Sequence, residues 1–358
     1  MMKVFVGLLL VILVGALIFW ESLLVLAVAP PVPVTAQNQE PLVMDVAKGA
    51  TLHGVSERLA SEGLIRSAPL FRLYAKLKGE SHGLKVGEYD IPRGAGPKQI
   101  LEILTSGKSR LYSITFPEGS NIFEMASALE QTKVYNGVEF LRLVRDPGFV
   151  ESLIGQPESS LEGYLFPETY NYTKYTTLKE LVVAMVRNFT QAYQRASEGY
   201  KGALTREQIV TMASVIEKET GAPQERPLIA SVFYNRLHKG MKIQSDPTII
   251  YGYWIETGTP LKNIRKNDIT KKSPYNTYVV RALPQGPIAN PGYESLRAAM
   301  FPAQSDYLYF VSRNDGTHVF TSTYQDHMKA VRDFQLNHRA REGKSWRDLN
   351  KQPLPKGS

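Results

Sequence analysis

The stretch Ser214–Leu237, SVIEKETGAPQERPLIASVFYNRL, joins the end of one helical pattern to the start of another and closes the first with two glutamates where the period asks for leucine. Upstream, Ile209, Val210, Met212, Ala213, Val215 and Ile216 recur at helical spacing and, at about 100° per residue, cover a broad apolar arc. Glu217 falls on that arc beside Val210 and Ala213, and Glu219 on its other flank beside Met212 and Val215. Thr211, Ser214 and Lys218 take the polar side. A carboxylate moved into apolar surroundings loses hydration worth several kcal/mol, so it needs a partner, retained water or its proton. Keeping the proton makes a general acid. The competing reading is an open helix end from which the glutamates turn outward, and spacing does not choose between the readings or between the two residues.

Outward from this stretch the chain reads as helical over Leu178–Ala192 and Arg206–Thr220. A further helix is expected in QERPLIASVFYNRLHKG, with Leu228, Ile229, Val232, Phe233 and Leu237 in period and Gly240 at its end. Residues Lys242 to Pro291, with proline and glycine throughout, are expected to form one long irregular segment, too bulky in TIIYGYW and PYNTYVV to stay disordered. Asn290-Pro291 is expected to cap and start the helix NPGYESLRAAMF. Asn314-Asp315-Gly316 marks a hairpin within YLYFVSRNDGTHVFTSTY.

Toward the amino terminus, AKGATLHGVSERLASEGLIRSAPLFRLYAKLKG (47–79) and PEGSNIFEMASALEQTKVYNGVEFLRLVRDPG (117–148) look like two versions of one unit. They match at a turn glycine (Gly49, Gly119) and at the helix positions Leu52 and Ile122, Val55 and Met125, Leu59 and Leu129, Leu70 and Phe140, Leu73 and Leu143. LVMDVA and LYSITF precede them as strands, and LKVGEYDIP and LEGYLFPETY follow, giving strand, helix, helix, strand. The first copy resembles a LysM-like module, a type associated with N-acetylglucosamine-containing glycans. Such a module serves equally well as packing alone. Tyr89, Tyr164, Phe166 and Tyr170 are either sugar-stacking rings or core.

Val4 to Trp20 is an uncharged run at the lower end of what spans a bilayer, with Lys3 before it favouring a cytoplasmic amino terminus. A cleaved signal peptide ending at Ala27-Val28-Ala29 is the competitor, hindered by Pro30 and Pro31. The expected organisation is α+β: a transmembrane anchor (1–29), a linker (30–43), a LysM-like module (44–110), a second α+β module (111–177), a mixed α+β catalytic domain (178–340) and a charged tail (341–358). The net charge of +8 suits an acidic polymer or an anionic membrane surface. Basic residues are scattered and no nucleic-acid module occurs, so nucleic acid is not expected as a partner. The absence of cysteine rules out disulfides and thiol catalysis. The six histidines lack metal-ligand spacing, and no phosphate or dinucleotide motif occurs, so neither metal nor cofactor is expected. Carboxylate chemistry is what remains.

SVIEKET, ASVFYNRL, GMKIQSDPTIIYG, SPYNTY and LPQGPIANPG, with EGYLFPETY upstream, together resemble the motif set of the YceG-like family, the endolytic murein transglycosylases. The resemblance runs from the anchor to the last hairpin. It implies a bacterial inner-membrane protein, single-pass and facing the periplasm or outer wall space, that cuts nascent peptidoglycan strands internally and associates with penicillin-binding proteins. It also places the catalytic residue at Glu217. A lytic transglycosylase needs one carboxylate, first as acid and then as base, whereas a hydrolytic muramidase normally needs two. Glu219 and Asp246 are the candidates for a second, and Asp246, before a proline, could equally brace a turn. Gln244, Ser245, Asp246, Thr248, Tyr275, Asn276, Thr277 and Tyr278 are the expected substrate contacts, with Glu219 and Asn290 in support. A non-catalytic scaffold that grips glycan through the LysM-like part is the rival from another class.

Overall fold

The computed structural model of the chain describes residues 14–15, 19–20, 22–30, 40–219 and 222–337. It is a mixed α+β protein that divides into two compact units, residues 1–113 with 171–176, and residues 114–170 with 177–358. Among the described residues no helix is long and apolar enough to cross a membrane. Most of the run Val4–Trp20, on which the anchor was expected, lies outside the described residues, as do residues 31–39 of the linker and the tail 341–358.

The first unit is built on β1 (Leu42–Val46), α1 (Leu52–Ser61), α2 (Ala68–Leu77), β2 (Gly87–Ile91) and α3 (Pro97–Ser106), with β1 and β2 antiparallel and Met44 opposite Tyr89. Gly49 turns the chain at φ +83, which a side chain would resist. Thr51 then caps α1 by accepting from the Gly54 amide. Val55 and Leu59 are buried as expected, but Leu73 is exposed. The α2 stripe is Ala68, Phe71, Tyr74 and Ala75, because those positions share one face at the i, i+3, i+6, i+7 spacing. Leu24 and Val28, within the residues expected as anchor, are buried in this unit's core. The amide of Arg66 donates to the carbonyl of Val28.

The second unit begins in β3 (Tyr112–Thr115) and continues through α4 (Ile122–Gln131), α5 (Gly137–Leu143), α6 (Pro147–Ile154) and β4 (Thr169–Tyr172), with β3 and β4 paired. The strand, helix, helix, strand order thus occurs twice, with α6 added in the second copy. Then follow α7 (Leu178–Ala196), α8 (Arg206–Glu219), α9 (Arg226–His238), α10 (Asp246–Thr257), α11 (Lys266–Thr270), α12 (Tyr293–Met300), β5 (Tyr309–Ser312), β6 (His318–Thr321) and α13 (Tyr324–Val331). Strands β5 and β6 pair antiparallel, with Asn314 at φ +64 and Gly316 at φ +90 in the predicted turn.

Helix α8 is the centre of this unit: every residue from Ile209 to Glu217 is buried, against α9, α10 and α12. The polar side expected at Thr211 and Ser214 therefore does not face water. The Ser214 hydroxyl donates to the Thr211 carbonyl at 2.7 Å and accepts the Ile288 amide at 3.0 Å, which satisfies it inside the core. Gly163, at φ +86, lets the segment before β4 lie against α8, since a Cβ there would sit 2.6 Å from both Pro287 Cβ and Val210 Cγ1.

Two further expectations are corrected. The segment from Lys242 to Pro291 is not irregular throughout. It contains α10, opened by Pro247 in its first turn and stopped by Gly258 in the left-handed conformation. Gly252 and the β-branched and aromatic residues weaken the helical signal there, and Gly252 is needed because a Cβ would come within 3.0 Å of Tyr275 Cβ. Second, α12 starts at Tyr293 with Gly292 as its cap residue. Asn290 does not cap it, because that side chain is fully buried and bonded elsewhere.

Candidate active site

Glu217 ends the buried run of α8, and both of its carboxylate oxygens are occupied. Oε1 accepts from Arg226 Nη2 at 2.7 Å and Oε2 from the amide of Gly292 at 2.9 Å. Both donors are fixed by position: Arg226 is the first residue of α9 and Gly292 the cap residue of α12. The side chains of Glu217 and Arg226 are 4% and 6% exposed, a buried ion pair whose loss of either partner would strand the other charge. The same Arg226 nitrogen lies 3.4 Å from Glu118 Oε2, and the Glu118 side chain is 48% exposed, so this second carboxylate opens the cluster to solvent. Burial, followed by the neighbouring Glu217, holds the Glu118 carboxyl above the usual carboxylate range, with Arg226 acting against them.

The loop that carries Glu118 is tied to the segment that leads into Gly292. Gly119, at φ +77, donates its amide to the Asn290 carbonyl, and the Asn290 amide returns a bond to Ser120, both at 3.0 Å. The Asn290 side chain finishes the clamp. Its Nδ2 donates to the Ser120 carbonyl and to Glu162 Oε1, and its Oδ1 accepts from the amide of Leu165 at 2.9 Å. Asn290 thus positions the loop from within the core. Glu162 also accepts the Ile122 amide at 3.0 Å, and burial pushes its carboxyl up to about 8. Lys218 closes the remaining side, its Nζ donating to the Gly119 carbonyl at 3.0 Å.

Glu219 heads a different cluster, because two residues along a helix turn the side chain through about 200°. Its Oε1 accepts from the hydroxyl of Ser245, and burial pushes its carboxyl up to about 7 against that bond. Around it gather most of the residues expected to touch substrate. The Ser245 amide donates to Thr277 Oγ1 at 3.0 Å, and Thr248 and Thr277 share a hydroxyl bond at 2.9 Å, all three residues being buried. Tyr278 donates to Asp246 Oδ1 at 2.6 Å. Asn276 is buried, its Nδ2 satisfied by the carbonyls of Asp268, Ile269 and Lys271 and its Oδ1 by the Tyr278 amide. Tyr275 packs edge-on against Tyr251. Gln244 and Asp246 are the exposed members, and Gln244 is held at φ +56, a left-handed conformation that costs a non-glycine residue about 1 kcal/mol or more.

Four residues of the Glu217 cluster escaped the reading of the sequence. Gly119 read as a turn glycine of the repeat, and Glu118 beside it drew no reading of its own. Gly292 read as the interior of a helix. Arg226 carried a signal: a cation at the first position of a helix opposes the macrodipole, and such a placement asks for an anion nearby.

The comparisons with known proteins agree with each other. A sequence profile of the YceG-like family matches residues 44–333. A Bacillus subtilis (strain 168) protein described as an endolytic murein transglycosylase is 33% identical over 334 residues, covering 88% of this chain and 89% of its own length. A Streptococcus pneumoniae (strain D39) protein of the same description is 27% identical over 330 residues, 84% of this chain and 59% of its own length. The crystal structure of a YceG-like protein from Listeria monocytogenes superimposes with a TM-score of 0.54 at 30% identity, over 81% of this chain and 99% of that one.

Proposed function

Because this chain belongs to the YceG-like family, we propose that it is a peptidoglycan lytic transglycosylase with Glu217 as its acid and base. Glu217 gives its proton to the oxygen linking N-acetylmuramic acid to N-acetylglucosamine, and positive charge develops at the sugar carbon as the bond breaks. The resulting carboxylate accepts the proton of the muramyl C6 hydroxyl while that oxygen bonds to the same carbon. The product is a 1,6-anhydro ring, and no water is consumed. The observation that carries this reading is the grip on Glu217: Arg226 and the Gly292 amide are in place to stabilise its ionised form between the two transfers.

The cut falls within nascent strands and terminates their elongation. The chain works from the outer face of the cytoplasmic membrane, anchored by Val4–Trp20 with its amino terminus inside, in company with penicillin-binding proteins. The strand, helix, helix, strand unit of the first copy serves as a LysM-like glycan contact, and Gln244 and Tyr278 reach the substrate. These statements rest on the sequence patterns and the family.

Glu217→Gln keeps the shape and removes the titrating proton. In the purified full chain acting on glycan strands, it lowers the rate by at least about 100-fold, the usual worth of a general acid. Glu219→Gln lowers it far less. Full activity in Glu217→Gln would instead favour the scaffold reading. One observation favours a hydrolytic muramidase: Glu118 supplies a second carboxylate beside Arg226. Mass spectrometry of the fragments separates the two, since anhydro ends are lighter by one water than reducing ends.

A further inference from the structure

Glu217 is held by two groups that can only donate, so in this arrangement nothing accepts a proton of its own. A general acid must nevertheless be protonated when substrate arrives, and the proton returned by the C6 hydroxyl stays on Glu217 between cycles only if the paired guanidinium does not drive it off. The guanidinium that would oppose loading is not locked. Arg226 reaches both Glu217 and Glu118 through Nη2, at 2.7 and 3.4 Å, and its buried Nε has no hydrogen-bond partner. A bidentate fork to one carboxylate would use two nitrogens and fix the choice.

We infer that Glu118 is a positioning residue for the reaction: it competes with Glu217 for Arg226, and by drawing the guanidinium away it lets Glu217 take up the proton it delivers. This rests on the transglycosylase reading for Glu217. The other charged groups facing the pair do not offer the same service. Lys218 is engaged with the Gly119 carbonyl, and Glu225, beside Arg226, is engaged with the amide and ring of His318. Glu294 on α12 bears on Glu118 by charge alone and adds to its reluctance to ionise. Glu118 is the solvent-facing member of the pair, its side chain 48% exposed against 4% for Glu217. Gly292 leaves the room for it: a Cβ at that position would lie 1.9 Å from Glu118 Oε1.

The test compares the wild type with Glu118→Gln and Glu118→Asp, as full-length protein on glycan strands, by the pH dependence of anhydro-product formation. In Glu118→Gln, Arg226 serves Glu217 alone and the repelling charge is gone. The alkaline limb therefore moves down by about half to one pH unit, as expected for one partly solvated charge contact. Glu118→Asp restores part of the shift. Superimposable limbs in all three proteins, with or without a change in rate, would overturn the inference. A second arm does not depend on turnover: with carboxyl-13C glutamate in the full chain, the Glu217 resonance titrates at lower pH in Glu118→Gln than in the wild type. An unmoved titration overturns the inference even if the enzyme is active. Absence of anhydro product from the wild type defeats the transglycosylase reading and leaves this arm to judge the coupling.

Discussion

Replacing Gly292 by alanine places a methyl group where the Glu118 carboxylate now lies, 1.9 Å from Oε1 and 2.2 Å from Cδ. The backbone does not object, because φ −77 and ψ 176 are open to any residue. The obstructed atoms are the end of a half-exposed, flexible side chain, so Glu118 swings into solvent and away from Arg226. Two small effects on stability then offset. Gly→Ala at a compatible position stabilises by about 0.4–1 kcal/mol through the unfolded chain. The lost contact between Arg226 and a side chain 48% exposed costs about 0–1 kcal/mol. The thermal midpoint therefore moves by no more than about 3 °C in either direction. The amide of residue 292 still donates to Glu217, so the ionised form keeps both partners. Activity changes regardless: the alkaline limb of the pH profile shifts down as in Glu118→Gln. Calorimetry and the pH profile, measured on one preparation, decide the matter. A fall of 8 °C or more would show that Glu118 is not free to leave. An unshifted limb beside an unchanged midpoint would refute the role given to Glu118.

Gly163→Ala should destabilise the protein by about 3 kcal/mol, combining the left-handed conformation at φ +86 with contacts of 2.6 Å to Pro287 and Val210, and the denaturant midpoint reads this directly. The buried Glu162 carboxyl titrates near 8 in the folded chain and near 4.3 when unfolded. Between those values the folded chain holds a proton that the unfolded chain has lost, so stability falls as pH rises through that window. Thermal midpoints from pH 5 to 8 should decline in the wild type and decline less in Glu162→Gln; an identical slope would mean that Glu162 is already ionised in the fold.

Helix identity and the first carboxylate were legible because they depend on neighbours in sequence. The arc from Ile209 to Ile216 announced a buried α8, and the alternation around Asn314-Asp315-Gly316 announced the β5–β6 hairpin. The residues expected to contact substrate lie together but around Glu219, because a run such as SPYNTY shows that residues belong together without showing which face of α8 they meet. Gly252 and Asn290 misled locally. Each is placed for a packing contact distant in the chain, and a period or a capping pattern registers only what lies within a few residues.

The sequence alone determined that two acids sit at the end of an apolar helix and that their surroundings must answer for the lost hydration. Only the tertiary structure decided how. Glu118, Glu217, Arg226 and Gly292 come from four places in the chain, and a buried charge is compensated through space by whichever donors the fold delivers to it, a distance that no spacing along the chain encodes.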